Sequence, residues 1–191
     1  NSSLDYDKID NTNLEMDYAT LRDNPDAKFS KEDMNKFFNF FSNIKVSDFN
    51  DVKKSADEIA KEFKNRKISF KSDENISIIN GYVPDEENNA LFVGHTGVAI
   101  NTKDGVIFIE KYIVDPKDLA LEYETACSES KKAFGKAVIF IEKYGFELPY
   151  QITKFKNKEE LKSYMIDRLK TSITGESQAY EPVVMENDKL M

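Results

Sequence analysis

The sequence predicts an α+β fold, with an antiparallel sheet in the C-terminal half packed against N-terminal and C-terminal helices. Three observations carry this. Apolar residues recur at helical spacing as far as residue 65, and beyond it the pattern changes to short β-branched and aromatic runs separated by turn residues. The seven-residue run VIFIEKY then occurs twice, at 106–112 and 138–144. A length of 191 residues suits one domain and suffices to bury a core without disulfides or metal.

Residues 1–28 are rich in Asp and Asn, include Pro25 and show little apolar periodicity, which predicts an extended or partly ordered lead-in with few core residues. The single α+β domain is expected over 29–191. Ser30 with Asp33 three residues later resembles a capping box, and Met34, Phe37, Phe38 and Phe41 follow at helical spacing. A second helix is expected over about 50–65, where Val52, Ala56, Ile59, Ala60 and Phe63 share one face while Lys53, Lys54, Asp57 and Glu58 point away.

Strands are expected at 68–70, 76–80, 90–100, 106–112, 138–144 and 150–155. Asn101-Thr102-Lys103-Asp104-Gly105 is a hairpin signal, with Gly105 able to take a positive φ. Both VIFIEKY copies are apolar on both faces over their first four residues, which suits interior strands. A helix over about 116–134 separates the copies, and another over about 157–170 turns Leu161, Tyr164, Met165 and Leu169 inward. Glu186-Asn187-Asp188 reads as a solvated cap or tail.

The balance of 27 basic and 35 acidic residues gives a formal charge of -8, which argues against a general affinity for nucleic acid or anionic lipid. No stretch approaches the roughly 20 apolar residues of a membrane span. The sequence opens on Asn1-Ser2-Ser3 without a methionine, as a mature secreted product or a trimmed chain would. One cysteine and one histidine cannot supply a structural zinc site, and the acidic clusters 23–33 and 85–89 lack the ligand pattern of a calcium loop. No cofactor or metal is expected, and the sequence does not specify an oligomeric state.

Cys127 and His95 are the only residues of their kinds. A thiol with a free pKa near 8.5 is mostly protonated at neutral pH, and an imidazolium or a helix N-terminus stabilises the thiolate that attacks an acyl carbon, while a carboxylate on the far ring nitrogen fixes the tautomer. If the hairpin pairs Ile100 with Gly105, His95 sits opposite Glu110 on one face, and a one-residue slip would separate them. Cys127, His95 and Glu110 are thus the candidate catalytic set, with Tyr150, Gln151 and Glu142 as candidate substrate-binding residues; Gln151 can donate to an oxyanion.

Each has a plainer alternative. Cys127 falls mid-helix beside Glu122, Glu124 and Glu129, which would raise its pKa and suit a small packed residue. His95 can simply find a backbone partner, though Gly94 and Gly97 leave room for something to approach. Glu110 and Glu142 can be exposed strand ends, and Tyr150 and Gln151 can simply pack.

The segment Leu91-Phe92-Val93-Gly94-His95-Thr96-Gly97-Val98, the run Phe140-Ile141-Glu142-Lys143 leading into Phe146, Pro149-Tyr150-Gln151 and Lys154-Phe155, and the terminal Met185-Glu186-Asn187-Asp188 together resemble the bacterial exported proteins of domain of unknown function 4300. The resemblance covers most of the chain from about residue 14. It implies an Asn-Cys-Arg segment near the N-terminus and a single LFIEK-like strand; here the first has no counterpart and the second occurs twice, about 32 residues apart.

Gly94-His95-x-Gly97-Val98 followed by a hairpin also resembles the histidine strand of NlpC/P60 and papain-like thiol hydrolases and acyltransferases. In permuted members of that group the histidine precedes the cysteine, as His95 precedes Cys127. Two functions follow. One is a non-catalytic binding or structural module of a bacterial envelope or secreted protein, with an envelope or peptide ligand near His95, Tyr150 and Gln151; the other is a thiol hydrolase or acyltransferase acting on an amide or thioester.

Overall fold

The computed structural model describes Leu14 and residues 29–71, 75–111, 150–171 and 178–191. The second VIFIEKY copy, the helix expected over 116–134, Cys127 and Glu142 lie outside them. Helix α1 spans Lys31–Phe41, strand β1 Ile44–Lys45, helix α2 Val52–Asn65, strands β2 Ile76–Asp85, β3 Ala90–Thr102, β4 Gly105–Lys111 and β5 Tyr150–Phe155, helix α3 Lys158–Lys170, and strands β6 Val183–Glu186 and β7 Lys189–Leu190.

Each helix starts at a side chain that satisfies an orphan backbone donor. Ser30 and Asp33 form the reciprocal capping box, Asp51 accepts from the Lys54 amide and Asn157 from the Glu160 amide. The C-terminal end of α1 has no basic residue of its own in its last turn. Arg66, just past α2, supplies the charge, donating to the carbonyls of Asn39 (3.0 Å), Ser42 (3.0 Å) and Asn43 (2.6 Å) while Glu62 holds its Nε at 2.8 Å. One guanidinium thereby joins the two helix ends.

Among the described residues the strands form one antiparallel sheet in the order β5-β4-β3-β2-β6-β7, with β1 pairing the first two residues of β3. A two-residue turn sets the β3–β4 register, closing Thr102 against Gly105. Gly105 has φ +129, and a Cβ there would lie 2.2 Å from the Phe155 carbonyl oxygen, so both conformation and the approach of β5 require glycine.

The register places Ile100 opposite Ile107, two residues from the Ile100–Gly105 pairing expected from sequence. Between β2 and β3 the pairing shifts, from Gly81 opposite His95 to Tyr82 opposite Val93, leaving Gly94 as the extra residue of a bulge next to His95.

The sheet carries helices on both faces. On one side Ile79, Ala99, Val106, Phe108, Phe155 and Val184 pack with Leu161 and Met165 of α3. On the other, Tyr82, Leu91, Val183 and Met185 pack with Ala56, Ile59 and Phe63 of α2. Phe40 of α1 stacks on Phe63 at 5.5 Å, and Leu14, buried to 2% exposure, packs with Met34 and Phe38.

Two expectations are corrected. Residues 68–70 are not a strand: Lys67 takes φ 58, the Ile68 amide donates back to the Phe63 carbonyl, and the chain folds over the end of α2 so that Ile68 and Phe70 pack on its core. Glu186-Asn187-Asp188 is not a free tail. It turns β6 into β7, with Asn187 at φ 54 and its Oδ1 accepting from the Ile78 amide at 2.9 Å.

Glu186 accepts from Ser77 (2.8 Å) and Lys158 (2.7 Å), joining β6 to β2 and to the start of α3. Burial alone would raise its carboxyl, but the bonds from Lys158 and Ser77 outweigh this and hold it below the usual carboxylate value. A carboxyl whose folded pKa is depressed contributes stability above its unfolded value, about 4.3, and loses it as the pH falls through the folded one. Urea unfolding should therefore show Glu186→Gln less stable than the native chain at pH 7, with the difference shrinking on acidification below about pH 4.

Candidate functional site

The interface of α3 with the sheet gathers three polar side chains in an otherwise apolar layer. Alternation along β4 sends Val106, Phe108 and Glu110 to the α3 face, and Glu110 is buried to 2% exposure. His95 of β3 shares that face. The helical repeat of α3 brings Tyr164 down beside Leu161 and Met165, with its ring against Phe155 (5.1 Å between centroids) and Phe108 (6.4 Å).

Glu110 joins them. One carboxylate oxygen, Oε2, lies 2.5 Å from His95 Nε2, and the other, Oε1, accepts from the Tyr164 hydroxyl at 2.5 Å. His95 and Glu110 are therefore brought together as the sequence predicts, but by a different register. Glu110 pairs across from Gly97, so His95 reaches it diagonally, two residues along the strand. The shift is even and preserves the face.

A buried carboxylate is costly unless its lone pairs are filled, and here two donors from two elements fill them. An ionised Glu110 would only accept, and His95 would then donate from Nε2; in the neutral ring this tautomer leaves Nδ1 as the nitrogen that can accept from or coordinate another group. Burial first, and then the bond to Glu110, raise the Tyr164 hydroxyl well above its ordinary range, which keeps it protonated as a donor. Arg168 lies 5.9 Å from the Tyr164 ring centroid, a cation–π contact on the same helix.

The remaining expected residues are less closely joined. Gln151 pairs across from Glu110 on the same face, with its Nε2 donating to Thr153 Oγ1 at 3.1 Å. Tyr150 opens β5 opposite Lys111. Cys127 and Glu142 lie outside the described residues. Glu110 itself is not an exposed strand end; exposure begins at Lys111. Among the described residues no three His, Cys, Asp or Glu side chains cluster in a way that could hold a metal ion.

The glycines near His95 make room for the chain's own side chains. A Cβ on Gly97 would lie 2.4 Å from Phe108 Cζ and 2.8 Å from the Ile109 carbonyl oxygen, and one on Gly81 would lie 2.1 Å from Leu169 Cδ1. A Cβ on Gly94 would lie 3.0 Å from both Leu169 Cδ2 and Val83 Cγ2. Phe108 and Leu169 fill the space that those glycines leave open.

On the opposite face Thr96 donates to Asn80 Oδ1 at 2.7 Å, while the Asn80 amide nitrogen and the Tyr82 hydroxyl are buried without a hydrogen-bond partner among the described residues. Burial raises the Tyr82 hydroxyl, opposed by the Arg66 charge and the nearby Asn80 amide. Sequence reading assigned Asn80 and Tyr82 no role, and it placed Tyr164 only as an inward core residue. The available signal for Tyr164 was its hydroxyl, since a tyrosine in an apolar stripe needs a partner when buried.

The family model for a domain of unknown function, DUF4300, matches residues 2–117 and 130–191. The chain belongs to the DUF4300 family. No curated protein and no solved structure matches the chain. His95, Glu110, Gln151 and Tyr164 all fall within the matched segments of this DUF4300 chain, whereas Cys127 falls in 118–129, between them.

Tyr164→Phe removes one donor from a buried carboxylate and should cost about 1.5–3 kcal/mol in urea unfolding, a charged-partner bond. Gly97→Ala forces the Phe108 ring or the strand to move and should cost about 1–3 kcal/mol, lowering the melting temperature measured by circular dichroism.

Proposed function

We propose that this DUF4300 chain is a non-catalytic binding module of a bacterial envelope or secreted protein, engaging a peptide or envelope ligand beside His95, Tyr150 and Gln151. The observation that carries this reading is the setting of Glu110. Both carboxylate oxygens are engaged by the protein itself, so the His95–Glu110–Tyr164 chain presents an oriented imidazole and fastens α3 to the sheet. The only cysteine lies in the part of the chain that the family model passes over, which argues against a family function built on its thiol. The envelope or secreted location rests on the sequence resemblance to exported proteins.

A second reading is favoured by one specific observation. A histidine held on one nitrogen by a buried carboxylate is the base-and-orienter half of a thiol hydrolase or acyltransferase triad, with Cys127 as the nucleophile completing it. The two readings differ in the state of the thiol.

The alkylation rate of Cys127 measured from pH 5 to 9, in the native chain and in His95→Ala, separates them. The binding reading predicts a slow reaction with an ordinary apparent pKa near 8.5, unchanged by the substitution. A fast reaction with a depressed pKa that rises in His95→Ala would overturn it, support a thiolate–imidazole pair and direct the search to amide and thioester substrates.

A further inference from the structure

β2 pairs along one side of β3 from Ala90 to Ile100, but the other side of β3 is shared between two strands. β1 pairs there with Ala90 and Leu91, and β4 with Gly97 to Thr102. Among the described residues no strand lies against this side between Leu91 and Gly97, so the sheet has a gap beside Phe92, Val93, Gly94, His95 and Thr96. We propose that the gap receives a short extended peptide, whose main chain pairs with Val93 and Thr96 as an added strand between β1 and β4. This rests on the binding reading above and gives its ligand a backbone conformation and a mode of attachment.

Main-chain direction identifies the groups that face the gap. The Asn101 amide donates to the Asn75 carbonyl on the β2 side. Strand residues turn their amide and carbonyl to alternate sides, so Thr96, like Val98, Ile100 and Thr102, turns to the β4 side. From the other end, the Val46 amide donates to the Asn89 carbonyl, so Asn89, Leu91 and Val93 turn to the β1 side. The two alternations are out of step by one residue, and the bulge at Gly94 supplies the difference. The β4 ladder ends at the Gly97–Glu110 pair, which leaves the Thr96 amide without a strand partner among the described residues. The β1 ladder ends at the Ile44–Leu91 pair, which leaves both the amide and the carbonyl of Val93 in the same position.

Three features favour a peptide as the occupant. The gap is open to solvent, since Gly94 is exposed and Val93, His95 and Thr96 are half-buried. The groups that face it are backbone donors and an acceptor at strand spacing, which the main chain of an extended segment matches and a single side chain does not. Its length is limited as well: at roughly 3.3 Å per residue the stretch from Phe92 to Thr96 spans about 17 Å, enough for about four residues of ligand. β1 and β4 close its two ends, so a short segment enters where the long edge of another copy's sheet would collide with them.

Amide hydrogen exchange read by NMR tests the pairing. In the free chain the Val93 and Thr96 amides should exchange fast, while those of Val98 and Ile100, which turn to β4, are protected. Protection of both Val93 and Thr96 in the free chain would mean that the chain pairs them itself, and overturns the proposal.

Random linear hexapeptides displayed on phage supply the probe. A peptide selected on the native chain and resynthesised should slow exchange at both amides at least about tenfold. N-methylation of its alternate residues, with side chains unchanged, should weaken binding about tenfold in one of the two alternating sets and little in the other, because only one set points its amides at β3. Binding that is lost in His95→Ala but leaves both amides exchanging fast keeps the binding reading and overturns the strand pairing. Slowed amides with binding unchanged in His95→Ala keep the strand pairing and overturn the placement of the ligand on His95. Selection of no peptide at all overturns both.

Discussion

The Glu110 carboxylate is the constraint around which this structure is arranged. A carboxyl group this deeply buried is tolerated only where hydrogen-bond partners meet it, and the two that do come from β3 and α3, far apart in sequence. The bond to His95 therefore depends on the β3–β4 register and the bond to Tyr164 on how α3 lies across the sheet. Moving either element would leave a buried carboxylate short of a partner, which costs more than losing an apolar contact of similar size. The apolar layer of Phe108, Phe155, Leu161 and Met165 supplies burial, while the polar chain within it selects one alignment of helix on sheet.

The surrounding backbone serves that alignment. Gly105 allows the tight turn that sets the register, Gly97 admits the Phe108 ring, and Gly81 and Gly94 admit Leu169 at the end of α3. The bulge at Gly94 lies next to His95, where an extra residue changes the course of the strand. On the far face, α1 and α2 are joined through Arg66, whose three carbonyl bonds tie the end of α1 to the end of α2. The two faces thus use the same device, one charged group shared between elements that hydrophobic contact alone would leave free to slide.

Much of this was legible in the sequence. Capping residues and apolar spacing located all three described helices, and the turn residues located the β3–β4 hairpin. The register was misread by two residues, yet His95 and Glu110 still met, because side chains alternate with a period of two and an even error keeps the face. Strands β6 and β7 were missed: Val183-Val184-Met185 is too short a run to stand out, and its pairing with β2 is a contact across most of the chain. The Ile68 and Phe70 pair looked like a strand because local propensity cannot show that Lys67 turns the chain back on α2. Tyr164 was visible as an inward residue, but its partner depended on a tertiary contact that no local pattern encodes. The duplicated run was legible as a repeat, and its first copy lies in the interior strand β4, whose place between β3 and β5 depends on pairings that no local pattern encodes.

Membership of the DUF4300 family names no chemistry, so function rests on how the imidazole is held. A single histidine makes that directly measurable. The ¹⁵N chemical shifts of the His95 ring, recorded above its titration, report which nitrogen carries the proton. A carboxylate-anchored ring predicts the Nε2–H tautomer alone in the native chain and a mixed population in Tyr164→Phe, where Glu110 is less firmly placed. An Nδ1–H tautomer in the native chain, or shifts averaged between the two forms, would contradict the central claim that Glu110 orients His95.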